Sequence, residues 1–536
     1  MKTRRIMALL LACVMVVGTM LTGCGQKEQK SEESKQSQQS DAAKTSESQD
    51  ASTEEVEELE PYTVTYWMRG EESKDHDKVM ELVNARIQEF LPNTTLDIVW
   101  VANSEYKDRW NKALAAGEKI DIGWSATWVN SPYVDVENEV VMPVGDLLDQ
   151  YGQGIIEAIG GQEIRDMHRI KDEEYFILAW QGLVGGRKGL YLNKKLADAM
   201  PEGWLEGAEK VFLENQEFTV EDVMANCDKL EEALIVNKEN EICVDGMKKG
   251  QPTTLVQNGV VLNDGYRLVV TEKDGVFTVQ SWYDNPVYKA FLERMHEWYD
   301  KGYYAKDILL KSNNADWEET QSLWITDAVS DGFAGIQSTK YGFDMEGCLV
   351  TPVNSMSQGF STGVVFPITG ENPERSMQVL NLLYTDAELY RLLVYGIEGT
   401  HYITNSNGTI TRPASGDRDY EGVTNWTLGT CINGLPESEA NIGQYEKLAE
   451  AQKVATINPL LGFSFSAADA GVKTEQANLD ALRTEYDTCY LTDDFETRYA
   501  EFCKKQIEVG LDKYIAAYKE ALSKYVTENN LGTVAP

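Results

Sequence analysis

Residues 62–124 read YTVTYWMRGEESKDHDKVMELVNARIQEFLPNTTLDIVWVANSEYKDRWNKALAAGEKIDIGW, and the rhythm of this stretch decides the fold. Its first six residues are all β-branched or aromatic, as suits a pleated strand. Residues 74–90 follow as a helix, and Pro92 ends it because its ring cannot continue one. Residues 95–101 (TLDIVWV) read as a second strand. Ser104 is placed to cap a helix running to Ala116, with Gly117 closing it. Tyr106, Trp110, Ala113 and Leu114 fall at helical spacing, so they are read as core. Residues 120–124 end a third strand. The alternation predicts an α/β fold with a mainly parallel sheet covered on both faces. In such sheets ligands bind outside the carboxyl ends of the strands. Those ends carry Trp67, Arg69 and the run from Trp124 to Trp128.

The residues before this stretch are of another kind. Lys2, Arg4 and Arg5 precede a largely apolar run over 6–21, the pattern of a secretory signal. Its end, Leu21, Thr22, Gly23 and Cys24, resembles a bacterial lipobox. That resemblance implies cleavage before Cys24 and lipidation of its thiol and new amine. Residues 25–60 are Ser, Gln, Glu, Lys and Asp with almost nothing apolar, a composition that reads as a flexible tether.

Beyond the opening stretch, residues 175–180 and 190–192 read as strands. Gly185 and Gly186 between them are either a connection between lobes or an ordinary surface turn. Thr219 opens a helix with Asp222 at the capping-box position. Residues 266–280 alternate like a hairpin turning at Lys273, Asp274 and Gly275. Residues 287–301 form an amphipathic helix, Asn372 and Pro373 start another that runs to Leu383, and Asn407-Gly408 marks a second hairpin. Residues 476–526 are largely helical.

The chain has 536 residues and a formal charge of −38, from 87 acids against 49 bases. Duplex binding draws its affinity from Lys and Arg on phosphates, so this balance argues against a nucleic-acid partner. It argues equally against adhesion to anionic membrane surfaces. Six cysteines remain after Cys13 and Cys24, scattered and without a C-x-x-C; free thiols and a few bridges both fit. Four histidines without an H-x-H or H-E-x-x-H pattern argue against zinc.

Several segments, taken in order, resemble the bacterial extracellular solute-binding lipoproteins of ABC importers. They are similar to the carbohydrate type with the type 2 periplasmic-binding fold, in the large Gram-positive branch with a C-terminal domain of uncharacterised role. Residues 106–121 resemble the family's helix ending in AAG, and 141–151 (VMPVGDLLDQY) the segment that follows it. Residues 295–307 (MHEWYDKGYYAKD) resemble its helix and KGY turn. Residues 372–402 are the most specific piece, and 395–402 (YGIEGTHY) closely resemble a family signature. Residues 461–463 and 472–475, with the last helices, are similar to the C-terminal domain. Residues 200–217 and 340–358 depart from the pattern. The resemblance spans about residues 62–525.

The resemblance implies two α/β lobes around a central cleft, joined by crossovers, with a largely helical C-terminal part. The expected division is a signal over 1–23, anchor and tether over 24–60, a first lobe over 61–185 that returns over 358–400, a second lobe over 186–357, and its completion with a helical region over 401–536. It implies a monomer held to the outer face of the cytoplasmic membrane by its lipid. Such a protein delivers a sugar or oligosaccharide to permease subunits, with no catalysis, cofactor or metal. A pyranose stacks its C–H face on Trp or Tyr, while planar polar groups pair with its hydroxyls. The candidates for those contacts are Trp67, Arg69, Trp124, Trp128 and Asn130 at the strand ends, Trp180 and Arg187 beside the glycine pair, Asp331, and Glu398 and His401 in the signature. For the last two the other reading is structural, a glycine-flanked turn that fixes the lobe junction, and it is the favoured one. Trp282 and Trp324 rank lower. Competing readings are the same fold carrying a peptide or polyamine, a surface adhesin without importer, and a glycosidase needing two facing carboxylates.

Overall fold

The structure is a computed structural model that describes residues 59–170, 173–182, 187–250, 252–311, 318–329, 333–351, 355–356 and 361–536. Cys24, the tether, the glycine pair and Asp331 lie outside them. The residues from 58 onward form one compact unit.

The opening stretch folds as its rhythm predicts. Strands Tyr62–Arg69, Thr94–Val101 and Ile122–Ser125 are parallel, with the first in the middle. Helices His76–Phe90 and Tyr106–Ala116 connect them. Asp121 locks the entry to the third strand. Its carboxylate accepts from the Tyr62 hydroxyl at 2.6 Å and from the Thr65 amide at 2.8 Å. Gly117 adopts the left-handed conformation that closes the second helix. Ser104 does not cap that helix. Glu105 occupies the cap position and no side chain caps the turn, so Ser104 stands one residue too early.

Two further strands extend this sheet, and the inner one runs against the other four. Gly363–Val365 and Ile177–Leu178 complete a five-stranded sheet, each antiparallel to its neighbour. Helices Pro373–Thr385 and Ala387–Tyr395 pack on the same core. Asn372 caps the first of these, accepting from the Arg375 amide at 3.0 Å, and Asp386 caps the second. The first runs two residues past Leu383. Tyr402, Ile410, Tyr420, Val423, Leu428 and Cys431 also belong to this core. These six side chains, expected with the second lobe, pack instead in the core of the first sheet.

A second core gathers residues from 190–350 and 486–502 around a four-stranded sheet. The order is Met345–Leu349, Arg187–Asn193, Gln321–Val329 and Gly246–Met247. Helix Val220–Asn240 has half a capping box. The Thr219 hydroxyl accepts from the Asp222 amide, while the Asp222 carboxylate turns to the Glu217 amide at 2.8 Å. A third core joins the hairpin Leu268–Lys273 and Val276–Ser281 to helices Lys473–Tyr486 and Leu511–Glu528. Asp274 and Gly275 both have positive φ, as a tight two-residue hairpin turn requires. Arg267 bridges Asp264 and Asp480, and the Tyr514 hydroxyl donates to Asp264, tying hairpin to helices. The final strand, Thr533–Val534, runs parallel to Val276–Ser281. The six cysteines are all free, five of them buried.

Candidate functional site

The first and third strands end side by side, and their ends build an aromatic platform around one cation. Arg69 is the last residue of its strand. Its guanidinium carbon lies 5.0 Å from the Trp128 ring centroid and 5.8 Å from that of Trp124. These separations suit cation–π attraction. Trp124 is fully buried, whereas Trp128 is 53% exposed and meets it edge-on at 5.6 Å. Trp426, half-buried in the turn Asn425–Thr427, lies 6.2 Å from Trp128. Burial lowers the Arg69 pKa from its ordinary value.

The platform rests on a fixed loop. The Tyr106 hydroxyl donates to the Trp124 carbonyl at 2.9 Å, and the Asn130 amide group donates to the same oxygen at 3.1 Å. The Ser125 hydroxyl donates to the Asn130 carbonyl at 2.8 Å. Two buried polar atoms here have no hydrogen-bond partner among the described residues: the indole N–H of Trp124 and Oδ1 of Asn130. An unpaired donor and an unpaired acceptor suit a hydroxyl, which can satisfy both. Behind the loop, burial pushes the Asp135 carboxyl up to about 7, and it accepts from the Trp110 indole N–H at 3.1 Å.

The other candidates separate from this cluster. Trp67 is a core residue, edge-on to Trp110 at 6.4 Å and covered by the Arg109 guanidinium at 4.8 Å. Its neighbours leave no face for a ligand. Trp180 is buried, and its indole N–H is taken by Gln452 at 2.8 Å. Its backbone pairs with Gly429 and Cys431. His401 is also buried; Nδ1 accepts from the Ile397 amide at 2.8 Å and Nε2 stands 3.2 Å from the Asp75 carboxylate. It braces the signature turn. Glu398 is exposed on that turn. Trp282 is core, stacked on Phe218 and edge-on to Tyr266. Asp331 and the side chains of Arg187 and Trp324 lie outside the described positions.

Sequence reasoning missed two features. Trp426 had no signal, because only the tertiary fold carries residue 426 to Trp128. A cavity of about 360 Å³ opens beside the second core, lined by Tyr266, Tyr283, Tyr288 and Tyr490 with Lys249, Arg483 and Asp487. Tyr266 has a φ of 62°, a left-handed conformation rare for a bulky side chain.

No family model matches the chain. A carbohydrate ABC transporter substrate-binding protein of Streptococcus pneumoniae is 26% identical over 243 residues, covering 43% of this chain. The match spans about half of that relative, 47% of its length. The polygalacturonan/rhamnogalacturonan-binding protein YtcQ of Bacillus subtilis is 22% identical over 81% of this chain and 87% of its own length. Among solved structures, the N-glycan transport solute-binding protein NgtS of Streptococcus pneumoniae superposes with a TM-score of 0.67 at 19% identity. That superposition covers 86% of this chain and 99% of NgtS. The fold is therefore that of the solute-binding proteins, α/β with two lobes.

Proposed function

We propose, for a chain that has the fold of the ABC-importer solute-binding proteins and relatives of the carbohydrate type, that it captures an oligosaccharide and hands it to permease subunits. The observation that carries this reading is the platform of Trp128, Arg69 and Trp426 at the strand ends. An exposed indole beside a half-buried one offers a pyranose two apolar faces, and the guanidinium supplies donors to its rim. Asn130 and Trp124 supply the buried acceptor and donor that a sugar hydroxyl would pair with. Closure of the second lobe over this platform would couple binding to a change that permeases read.

The rest of the reading follows from the amino-terminal sequence and the relatives' names. Cys24 carries the lipid, and the tether over 25–60 lets the folded unit work as a monomer just outside the membrane. Binding without catalysis is the role assigned. The lobes exchange chain near residues 185 and 358.

A thermal-shift panel of oligosaccharides, amino acids and peptides tests this. A ligand that binds the native state stabilises it in proportion to RT ln(1 + [L]/Kd). Stabilisation by a glycan is the expected outcome. A shift with peptides and none with glycans would exclude the carbohydrate reading. Cleavage of an oligosaccharide on prolonged incubation would overturn the non-catalytic role.

A further inference from the structure

The platform carries a cation without a counter-charge. Most described arginines pair with carboxylates, among them Arg86, Arg165 and Arg267. In a chain with 87 acids that is the ordinary outcome. Arg375, Arg391, Arg483 and Arg498 share with Arg69 the lack of an ion pair among the described residues. The one hydrogen bond of Arg69 is a long one, from Nε to the Asn103 carbonyl at 3.4 Å. Both Nη groups are left over, beside Trp128. The nearby acids do not answer it: Glu71, Glu72 and Asp97 line a separate groove with Gly70 and Trp100.

We infer that the solute is an acidic oligosaccharide, and that the Arg69 fork receives the carboxylate of a sugar acid stacked on Trp128. This rests on the carbohydrate reading and narrows it. The geometry of the donor set supports the class. A guanidinium presents two parallel N–H groups that match a carboxylate's two oxygens, whereas a neutral hydroxyl accepts from one of them without the charge. In a uronic acid the carboxylate leaves the ring at the carbon next to the C–H face. The Arg69 guanidinium lies over the Trp128 ring, so a sugar acid set against the rest of that half-exposed indole brings its carboxylate to the fork. Two flanking indoles also shield the pair from water, which strengthens it over an exposed one. The unpaired Trp124 and Asn130 atoms remain for a hydroxyl of the same sugar.

The test is calorimetric titration of the full chain with tetragalacturonate and with maltotetraose, a neutral chain of equal length. Both are repeated on Arg69→Gln, with the apo melting temperature as a check on folding. The expected result is tighter binding of the uronate, weakened about tenfold or more by Arg69→Gln and by added salt. Equal or tighter binding of maltotetraose overturns the acidic class while leaving the carbohydrate reading intact. So does an Arg69→Gln variant that keeps full affinity for the uronate. Heat from neither glycan, across a wider panel of neutral and acidic oligosaccharides, overturns both.

Discussion

His401 Nε2 stands 3.2 Å from the Asp75 carboxylate, joining two residues 326 positions apart. The contact pins the signature turn to the start of the first helix. It also holds the Asp75 carboxyl below its ordinary range, with His401 the largest cause and Lys78 the next. A depressed carboxyl lends stability that is present above its unfolded pKa and lost as pH falls through the folded one. His401→Phe should therefore lower the melting temperature at neutral pH, with the deficit shrinking in acid. Glycan affinity of the folded fraction should not change. An affinity loss at unchanged melting temperature would instead make His401 a ligand contact.

Asp135 should make the protein less stable as pH rises. Its carboxyl is raised from 3.8 to about 7, mainly by burial. Between those values the folded state holds a proton that the unfolded chain has released, so stability falls across that window and levels off above it. Asp135→Asn keeps an acceptor for the Trp110 indole without the charge. It should stabilise the protein at pH 8 by up to ~4 kcal/mol and have little effect near pH 4. Urea unfolding at the two pH values measures the difference.

Trp128 and Trp124 should separate on substitution. Trp128 is half in solvent, so Trp128→Ala should change apo stability by about 0.5 kcal/mol or less while abolishing the glycan shift. Trp124 is fully buried beneath it, and its loss should cost about 3–5 kcal/mol. Trp67 is nearly as buried and should behave like Trp124. Thermal melts of the three variants, with and without glycan, decide this.

Gly123 lies in the third strand directly under the Trp110 ring, and a Cβ there would overlap the indole. A rigid ring cannot yield as a flexible chain end does. Gly123→Ala should destabilise by about 1–3 kcal/mol through overpacking. If the melt is unchanged, the packing of Trp110 on this strand is wrong.

Local signals carried most of the fold. Asn372-Pro373, the Asp274-Gly275 turn and Gly117 were legible because each states its own backbone chemistry within a few residues. The parallel strands were legible because helices alternate with them at regular spacing. Long-range partners were not. Nothing near Trp180 announces Gln452, nothing near Thr533 announces the hairpin it extends, and the apolar positions between 402 and 431 do not say which core they join. At the site, strand-end reasoning reached Arg69, Trp124, Trp128 and Asn130, because the end of a strand is a local fact. It also nominated Trp67, which faces inward. The sheet is covered on both faces, so Tyr66, Trp67 and Met68 are all buried whichever side they point to.

The insertion of Gly363–Val365 between Ile122–Ser125 and Ile177–Leu178 reaches into how the chain is made. A nascent polypeptide stopped before residue 363 holds a sheet with a gap, and the helices that cover it from 373 onward are still absent. The first half of the chain therefore cannot commit to its final packing early in synthesis. Prematurely terminated products expose unpaired strand edges and apolar faces together, which invites aggregation and proteolysis.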